Sequence, residues 1–451
     1  MTSIVEMNIG TLEIIYLVIT FISALVFTFL FIPYLISIMK RKGIVGFDIH
    51  KNAKPEIAES GGLSILLGLI LSSLLLIIFF PLLINEILVF ILTVIICGII
   101  GFIDDRIKLR SFFKILFTLF TGSAFFLANY FGLITIRSPT IPFLGETRLT
   151  MIYPLVTPII VAIFANTSNM LEGYNGEGSG TSLIALFFLL ICSILWNSAE
   201  ALVICLSAIA VLIPFFLYNK FPAKIFPGDV GTLSIGAVFA SIALLGSLEV
   251  AVFCALLIHI INSFYVIRSV KGFFESREIQ EKKNDIILLP DDKISASDKK
   301  DAVLTLPRLI LAKGPLTEPQ LVKNFYIISV ICGFFSIIAV MFTLWTIGDS
   351  NLNYIIIFVI IFSIPTGFLL YFFPRIRGII ILMILLLIII CLVLIFIDSI
   401  VMKYFQGDFE LLFIKIPYNI LFSFILIIPA LAIWYYITIR YFWMQINKMK
   451  N

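Results

Sequence analysis

The chain has 451 residues, of which 61% are apolar and 13% charged, with a formal net charge of +4 and a mean hydropathy of +1.15. That length would hold two or three soluble domains, but the composition excludes them and requires a polytopic membrane protein. The charge is too small and too scattered to argue for nucleic acid. Six cysteines, all inside apolar runs and without a CxxC pair, indicate neither a zinc site nor a disulfide framework.

A membrane span needs about 20 largely apolar residues. Runs of that kind predict about thirteen spans, centred near Val26, Leu71, Thr93, Ser123, Ile160, Leu189, Ile209, Phe239, Leu257, Cys332, Val359, Leu387 and Ile425, and hence an all-α polytopic fold. No basic segment leads the first run, so no secretory signal is expected there. Lysine and arginine orient the spans. With the amino terminus outside, 27 of the 31 basic residues fall in segments 40–54, 104–114, 169–180, 218–231, 268–323, 374–378 and 440–451. Those segments, and every polar motif, are therefore expected on the cytoplasmic face. The longest, 268–323, reads as a flexible hydrophilic loop with one short hairpin or helix. No repeat or inverted symmetry is evident, which weakens a transporter reading.

Four of these segments carry polar residues that an ordinary loop does not require. The first, DIHKNAKPEIAESGG over 48–62, mixes carboxylates and lysines with a glycine pair that permits close backbone approach. Lys51 and Lys54 taken alone only follow the charge asymmetry. In the second, DDRIKLRSFFK over 104–114, Asp104 and Asp105 close an apolar run and Lys114 follows ten residues later. Ionisable groups at a membrane boundary are costly to desolvate and point to function, although Asp104 paired with Lys108 at helical spacing would also make an ordinary turn. Adjacent helical residues point about 100° apart, so the two aspartates are expected to have different roles.

The third segment, NTSNMLEGYNGEGSG over 166–180, dissolves a span into asparagine, glutamate and glycine. Irregular backbone at membrane depth is tolerated where it lines a cavity or is buried in protein. Asn169 and Asn175 can offer amide oxygens to a hard cation, or hydrogen bonds to a nucleotide. A glycine-rich turn would account for the glycines but not for the asparagines and glutamates. The fourth, YNKFPAKIFPGDVGT over 218–232, sets Asp229 in a Pro-Gly-Asp turn, which alone is an ordinary turn residue. Together these loops offer carboxylates, amide oxygens and lysines on one face. Mg²⁺ takes one or two carboxylates plus substrate phosphates, and lysines meet the remaining phosphate charge. With no Walker loop and no His/Cys cluster, the constellation points to transfer of a phosphate-linked group at the membrane surface.

At these motifs the sequence resembles the polyprenyl-phosphate N-acetylhexosamine-1-phosphate transferase family, of the glycosyltransferase 4 type, over about residues 12–347. It is most similar to the UDP-GlcNAc:dolichyl-phosphate GlcNAc-1-phosphate transferases of the eukaryotic and archaeal branch. The first motif resembles the family's Asp-x-Asn-Lys…Ile-Pro-Glu-Ser-x-Gly segment, whose glutamate helps hold the uridine and falls on Glu59. The second is similar to the Asp-Asp motif, whose later lysine, Lys114, contacts phosphate. The third resembles Asn-x-x-Asn-x-x-x-Gly-x-Asn-Gly, whose second asparagine, Asn169, is a Mg²⁺ ligand. The fourth resembles Phe-x-Gly-Asp, whose aspartate, Asp229, is the other. Gly173, Asn175 and Phe226 carry over as substrate-binding positions. The sequence departs from the family pattern at His50 and Ala58, which replace asparagine and proline, and at Lys108, where eukaryotic members tend to carry asparagine. No histidine follows His259, so Arg277 is the nearest candidate for the family's late sugar- and pyrophosphate-handling motif.

The resemblance implies an enzyme with a core over 1–347 and additional spans over 348–451. A polyprenyl or dolichyl phosphate would attack the β-phosphorus of UDP-GlcNAc and release UMP, feeding N-linked glycan assembly. Mg²⁺, with Mn²⁺ as a substitute ion, would be held by Asn169 and Asp229. Lys114 and Arg277 would stabilise charge, and Asp104 or Asp105 would position or deprotonate the lipid phosphate; a covalent aspartyl-phosphate route stays open. The expected partners are UDP-GlcNAc, the lipid phosphate and membrane lipids, with a homodimer left open. Alternatives are another UDP-N-acetylsugar donor, as in bacterial cell-envelope relatives, and a secondary transporter or flippase. Heavy Ile, Lys and Asn usage suggests an AT-rich genome, and the closeness to the dolichol branch implies an archaeal plasma membrane, or an endoplasmic reticulum membrane in a eukaryote.

Overall fold

A computed structural model describes residues 10–147, 149, 152–270, 285–405, 407–411 and 414–450. The chain is an all-α integral membrane protein. Among the described residues twelve helices are long and apolar enough to span, and a bent pair makes up to thirteen. All thirteen predicted centres fall on them.

In chain order, α1 (Thr11–Arg41) leads into a hairpin of β1 (Val45–Phe47) and β2 (Glu56–Ala58), then α2 (Gly62–Phe79), α3 (Ile84–Ile107) and α4 (Ser111–Tyr130). A small hairpin, β3 (Thr140–Ile141) with β4 (Gly145–Glu146), precedes α5 (Tyr153–Leu171), α6 (Glu177–Leu195), α7 (Ala199–Asn219) and α8 (Gly228–Gly246). The span predicted near Leu257 is broken into α9 (Glu249–Ala255) and α10 (Leu257–Val270), bent by 73°. The described part of the long polar loop contains the hairpin and the short helix that the sequence offered as alternatives, packed into one folded unit instead of a flexible loop. β5 (Ile286–Leu288), β6 (Lys293–Ala296), the helix α11 (Leu306–Leu311) and β7 (Leu316–Thr317) form one unit with an antiparallel three-stranded sheet. It closes on Arg308, buried and donating to the carbonyls of Ser297, Lys299, Ala302 and Val303.

The spans α12 (Glu318–Thr346), α13 (Leu352–Phe372), α14 (Arg377–Phe396), a hairpin of β8 (Asp408–Leu411) with β9 (Ile414–Pro417), and α15 (Tyr418–Lys450) complete the chain. The additional carboxy-terminal spans pack onto the rest. Trp434 of α15 stacks on Tyr265 of α10 at 5.6 Å and donates its indole N–H to Leu382 of α14.

The centre of the bundle is α8, buried along nearly its whole length. Its sequence, GDVGTLSIGAVFASIALLG, is rich in small residues, which let helix backbones approach closely in a membrane. Gly101 of α3 lies against the Asp229 carbonyl and Gly62 of α2 against the Gly231 backbone; a Cβ at either would collide with main chain. These contacts bring the carboxyl end of α3 and the amino ends of α2 and α8 together at one end of the bundle.

Candidate active site

The four motif loops meet at that end. The strand-like residue Ala58 bridges Ile225, Phe226 N–H donates to Ala58, and the N–H groups of Gly61 and Gly62 donate to Phe226 and Pro227, each bond 2.8 Å. The first and fourth motifs are thereby zipped together. Glu59 and Phe226 both lie against Gly46 of β1. Which face of a membrane this end occupies is a matter of charge asymmetry; the convergence itself is geometric.

Four predicted residues form one group, three of them buried and Asp229 partly exposed. Lys114, 2% exposed on the first turn of α4, makes ion pairs with Asp104 at the end of α3 and with Asp229 at the start of α8, the latter at 2.7 Å. Asp104 also accepts the Leu109 N–H at 2.5 Å. Lys108, between them, adopts a left-handed conformation (φ 52°) that closes α3, a conformation asparagine adopts more readily than most residues.

Asn169, near the end of α5, completes the group. One terminal atom of its amide lies 3.0 Å from Asp229 Oδ1 and 2.8 Å from Thr232 Oγ1, and the other lies 3.2 Å from Lys114 Nζ. With nitrogen toward Asp229 the amide donates to Asp229 and Thr232 and accepts from Lys114. With oxygen toward Asp229, two oxygens face each other at the spacing of neighbouring ligands on octahedral Mg²⁺, about 3 Å for ligands at 2.0–2.1 Å. The donor set, one carboxylate and one amide oxygen beside a lysine, thus fits a hard divalent ion that keeps other positions for phosphate oxygens and water.

Asp105 is held differently from its neighbour. Its Oδ1 accepts the Asp229 N–H at 2.7 Å and its Oδ2 accepts the Ser60 hydroxyl at 2.9 Å. Gly228 (φ 64°) lets that carboxylate lie against the turn, and any Cβ there would crowd it. The two aspartates therefore make different contacts, Asp104 with Lys114 and Asp105 with the turn before α8.

Asn175 and Gly173 belong to the loop between α5 and α6. Gly173 N–H donates to Glu177. Asn175 joins a second buried group: its main-chain N–H donates to Glu318 Oε1 at 2.7 Å and its side-chain N–H₂ to Asp48 Oδ2 at 2.9 Å and Glu318 Oε2 at 3.3 Å. Lys51 bonds Asp48 and lies 3.3 Å from Glu318. His50 stacks on Tyr174 at 4.3 Å. Ligand atoms of Asp48, His50 and Glu318 lie within 4.8 Å of one another, but the Lys51 ammonium already supplies the cation between the two carboxylates. Burial pushes the His50 imidazole down to about 4 despite the Asp48 charge, so it is neutral at pH 7. Burial pushes the Glu172 carboxyl, in the same loop, up to about 8.

Sequence reasoning missed Glu318, which starts α12 behind the Thr317 capping box and looks like an ordinary helix-start acid. It also missed Thr232, one turn after Asp229, and Asn52, whose side chain ties the first loop to the β5–β6 turn through Asp292, Leu289 and Pro290. Arg277 lies outside the described residues.

The family model described as glycosyl transferase family 4 matches residues 87–247. A provisionally named glycosyltransferase of Methanocaldococcus jannaschii is 30% identical over 322 residues, 71% of this chain and 95% of the relative. A protein of Saccharolobus solfataricus, provisionally named UDP-N-acetylglucosamine–dolichyl-phosphate N-acetylglucosaminephosphotransferase, is 33% identical over 235 residues, 49% of this chain and 70% of the relative. The phospho-N-acetylmuramoyl-pentapeptide-transferase of Staphylococcus aureus is 31% identical over 267 residues, 55% of this chain and 83% of the relative.

Proposed function

Since the chain belongs to glycosyl transferase family 4, we propose that it transfers N-acetylglucosamine 1-phosphate from UDP-GlcNAc to a polyprenyl (dolichyl) phosphate and releases UMP. The coarser part, a membrane-bound phospho-sugar transferase, is what the family and the relatives' names have in common. The observation that carries the phosphoryl-transfer chemistry is the convergence of Asn169, Asp229, Lys114 and Asp104 at one end of the bundle; the choice of donor and lipid is supported by the likeness to the Saccharolobus solfataricus protein.

In this reaction an oxygen of the lipid phosphate forms a bond to the β-phosphorus of the donor, and the bond from that phosphorus to the bridging oxygen breaks. The electron pair leaves with UMP. Lys114 stabilises charge developing on the phosphoryl oxygens. Asp104, paired to Lys114 and anchored by Leu109, orients that ammonium and the incoming phosphate. A phosphate monoester has a second pKa of about 6, so the lipid phosphate needs orientation and desolvation more than a strong base. Asp105, with both oxygens engaged, fixes the turn that presents Asp229. Mg²⁺, or Mn²⁺ in its place, would be held by Asn169 and Asp229 and would neutralise phosphate charge when bound. Glu59 and Phe226, which both pack against Gly46 on the zipped loops, would hold the nucleoside of the donor, as the family resemblance implies.

A donor carrying another N-acetylsugar is the second reading, supported by the likeness to a pentapeptide-sugar transferase. The transporter reading has one broken span in its favour, but among the described residues no second bent pair mirrors it.

The test is UMP release by purified protein from UDP-GlcNAc with polyprenyl phosphate and Mg²⁺, beside Asp229→Ala. Release that needs lipid and metal and disappears in the variant supports the reading. Release only with a different UDP-N-acetylsugar moves the specificity and keeps the chemistry. No release with any donor from folded protein overturns it.

A further inference from the structure

We propose that Glu318 and Asp48 are positioning residues that lock the Asn175 amide in one orientation, with its oxygen turned away from them as a fixed acceptor for an N–H of the nucleotide donor. This deepens the UDP-sugar reading and rests on it.

An asparagine amide can face either way, and its environment decides which. Here both N–H donors of Asn175 Nδ2 are taken by carboxylates, Asp48 Oδ2 and Glu318 Oε2. The reversed orientation would set the amide oxygen against two negative groups. Glu318 grips the residue twice, since its other oxygen accepts the Asn175 main-chain N–H. Lys51 lies on both carboxylates and offsets their mutual repulsion. Asp48, Asn175 and Glu318 are each 3% exposed, so water screens the arrangement little. Asn175 Oδ1 accepts no hydrogen bond from the described residues. Three separate pieces of chain, the first loop, the α5–α6 loop and the start of α12, are thus spent on the direction of one amide.

A locked acceptor discriminates between bases. Uracil presents an imide N–H between two carbonyls, whereas cytosine carries an acceptor nitrogen at the same ring position. An acceptor that cannot turn favours uracil; an amide free to turn would serve either base. Glu318 and Asp48 therefore set donor specificity without touching the reacting phosphates.

The test uses the full-length protein. Wild type is assayed first with UDP-GlcNAc, because absence of turnover there overturns the functional reading before this one is reached. Glu318→Gln keeps the size and the acceptor for the main-chain N–H but sets an amide N–H₂ against Asn175. The expected result is a KM for UDP-GlcNAc raised about tenfold with kcat within about twofold, and a preference for UMP over CMP as competing ligands reduced about tenfold. Asn175→Asp alone adds a third carboxylate and is expected to weaken UMP binding more than Glu318→Gln does. Combined with Glu318→Gln it again presents an oxygen on both sides, and is expected to recover UMP preference to within about threefold of wild type. Should folded Glu318→Gln protein keep the wild-type KM and UMP preference, or lose only kcat, the lock is refuted. A double variant with no recovery refutes it equally, since a merely structural role for Glu318 predicts additive losses.

Discussion

Asp105 and Asp229 are joined through the main chain: the Asp105 carboxylate accepts the Asp229 N–H at 2.7 Å while Ser60 donates to its other oxygen at 2.9 Å. The aspartate that ends α3 thus holds the first turn of α8, and with it the side chain that meets Lys114. Its neighbour Asp104 pairs with Lys114 directly. One adjacent pair of carboxylates builds the turn and also balances the charge inside it.

That division predicts opposite sensitivities. Asp105→Asn can keep an oxygen toward the Asp229 N–H and an N–H₂ toward the Ser60 oxygen, so activity within about tenfold of wild type is expected, with a stability loss of about 1 kcal/mol. Asp105→Ala leaves the Asp229 N–H and Ser60 unpartnered, and about 1–3 kcal/mol is expected to be lost. Asp104→Asn weakens the pairing with Lys114 and is expected to reduce turnover about 100-fold or more. Steady-state rates of UMP release, with melting temperatures in detergent, check all three. Equal losses for Asp104→Asn and Asp105→Asn would contradict the assignment.

Lys114→Met leaves Asp104 and Asp229 facing each other without the intervening ammonium. Removing one partner of a buried charge pair costs about 3–5 kcal/mol, so the apparent melting temperature should drop by several degrees and turnover should fall at least 100-fold. An unchanged melting temperature would mean that the ammonium does nothing to hold the two carboxylates together.

The span count was legible because each helix is a continuous apolar run, and even the broken span met the length requirement when read as one. The break at Leu256 leaves no sequence mark, since no proline or glycine stands there. The Asp104–Lys114–Asp229–Asn169 group could be named from its motifs, but its pairings could not. They depend on Gly101 and Gly62 letting backbones touch, over sequence separations of more than 100 residues. Glu318 was not legible as a partner of Asn175, because a glutamate in a first helical turn is explained by the helix alone. In the polar loop a hairpin or helix was legible but its packing was not: its charges suggested solvent, yet Arg308 turns inward and satisfies itself on main-chain carbonyls.

Arg308 supports a third prediction. Its guanidinium makes five hydrogen bonds to four carbonyls and lies 4.6 Å from the Phe442 ring of α15. Lysine keeps the charge but cannot reproduce the planar fork. Arg308→Lys is expected to cost about 3–6 kcal/mol, because bonds from a charged donor contribute about 1.5–3 kcal/mol each and an ammonium, with three N–H donors, loses at least two of them. Limited proteolysis of the 285–317 unit should detect it, with cleavage in the variant at protease levels that leave wild type intact. Unchanged protection would show that the sheet, not the arginine, holds the unit.

His50 supplies a prediction in pH. Burial holds the imidazole at about 4 against an ordinary value of 6.5, so between these values the unfolded chain binds a proton that the folded protein does not. Stability then rises with pH across that window: it is complete above about 6.5 and is lost as pH falls toward 4. The span between the two values corresponds to about 3 kcal/mol at 1.36 kcal/mol per pH unit. His50→Asn removes the titrating group and substitutes the residue usual in the resembling family. Melting temperatures of wild type and variant, measured from pH 4 to 8, should run parallel above 6.5 and separate below it, with the wild type falling faster. Curves parallel throughout would mean that the ring is protonated in the folded protein as readily as in the unfolded chain, and that its burial against Tyr174 carries no electrostatic cost.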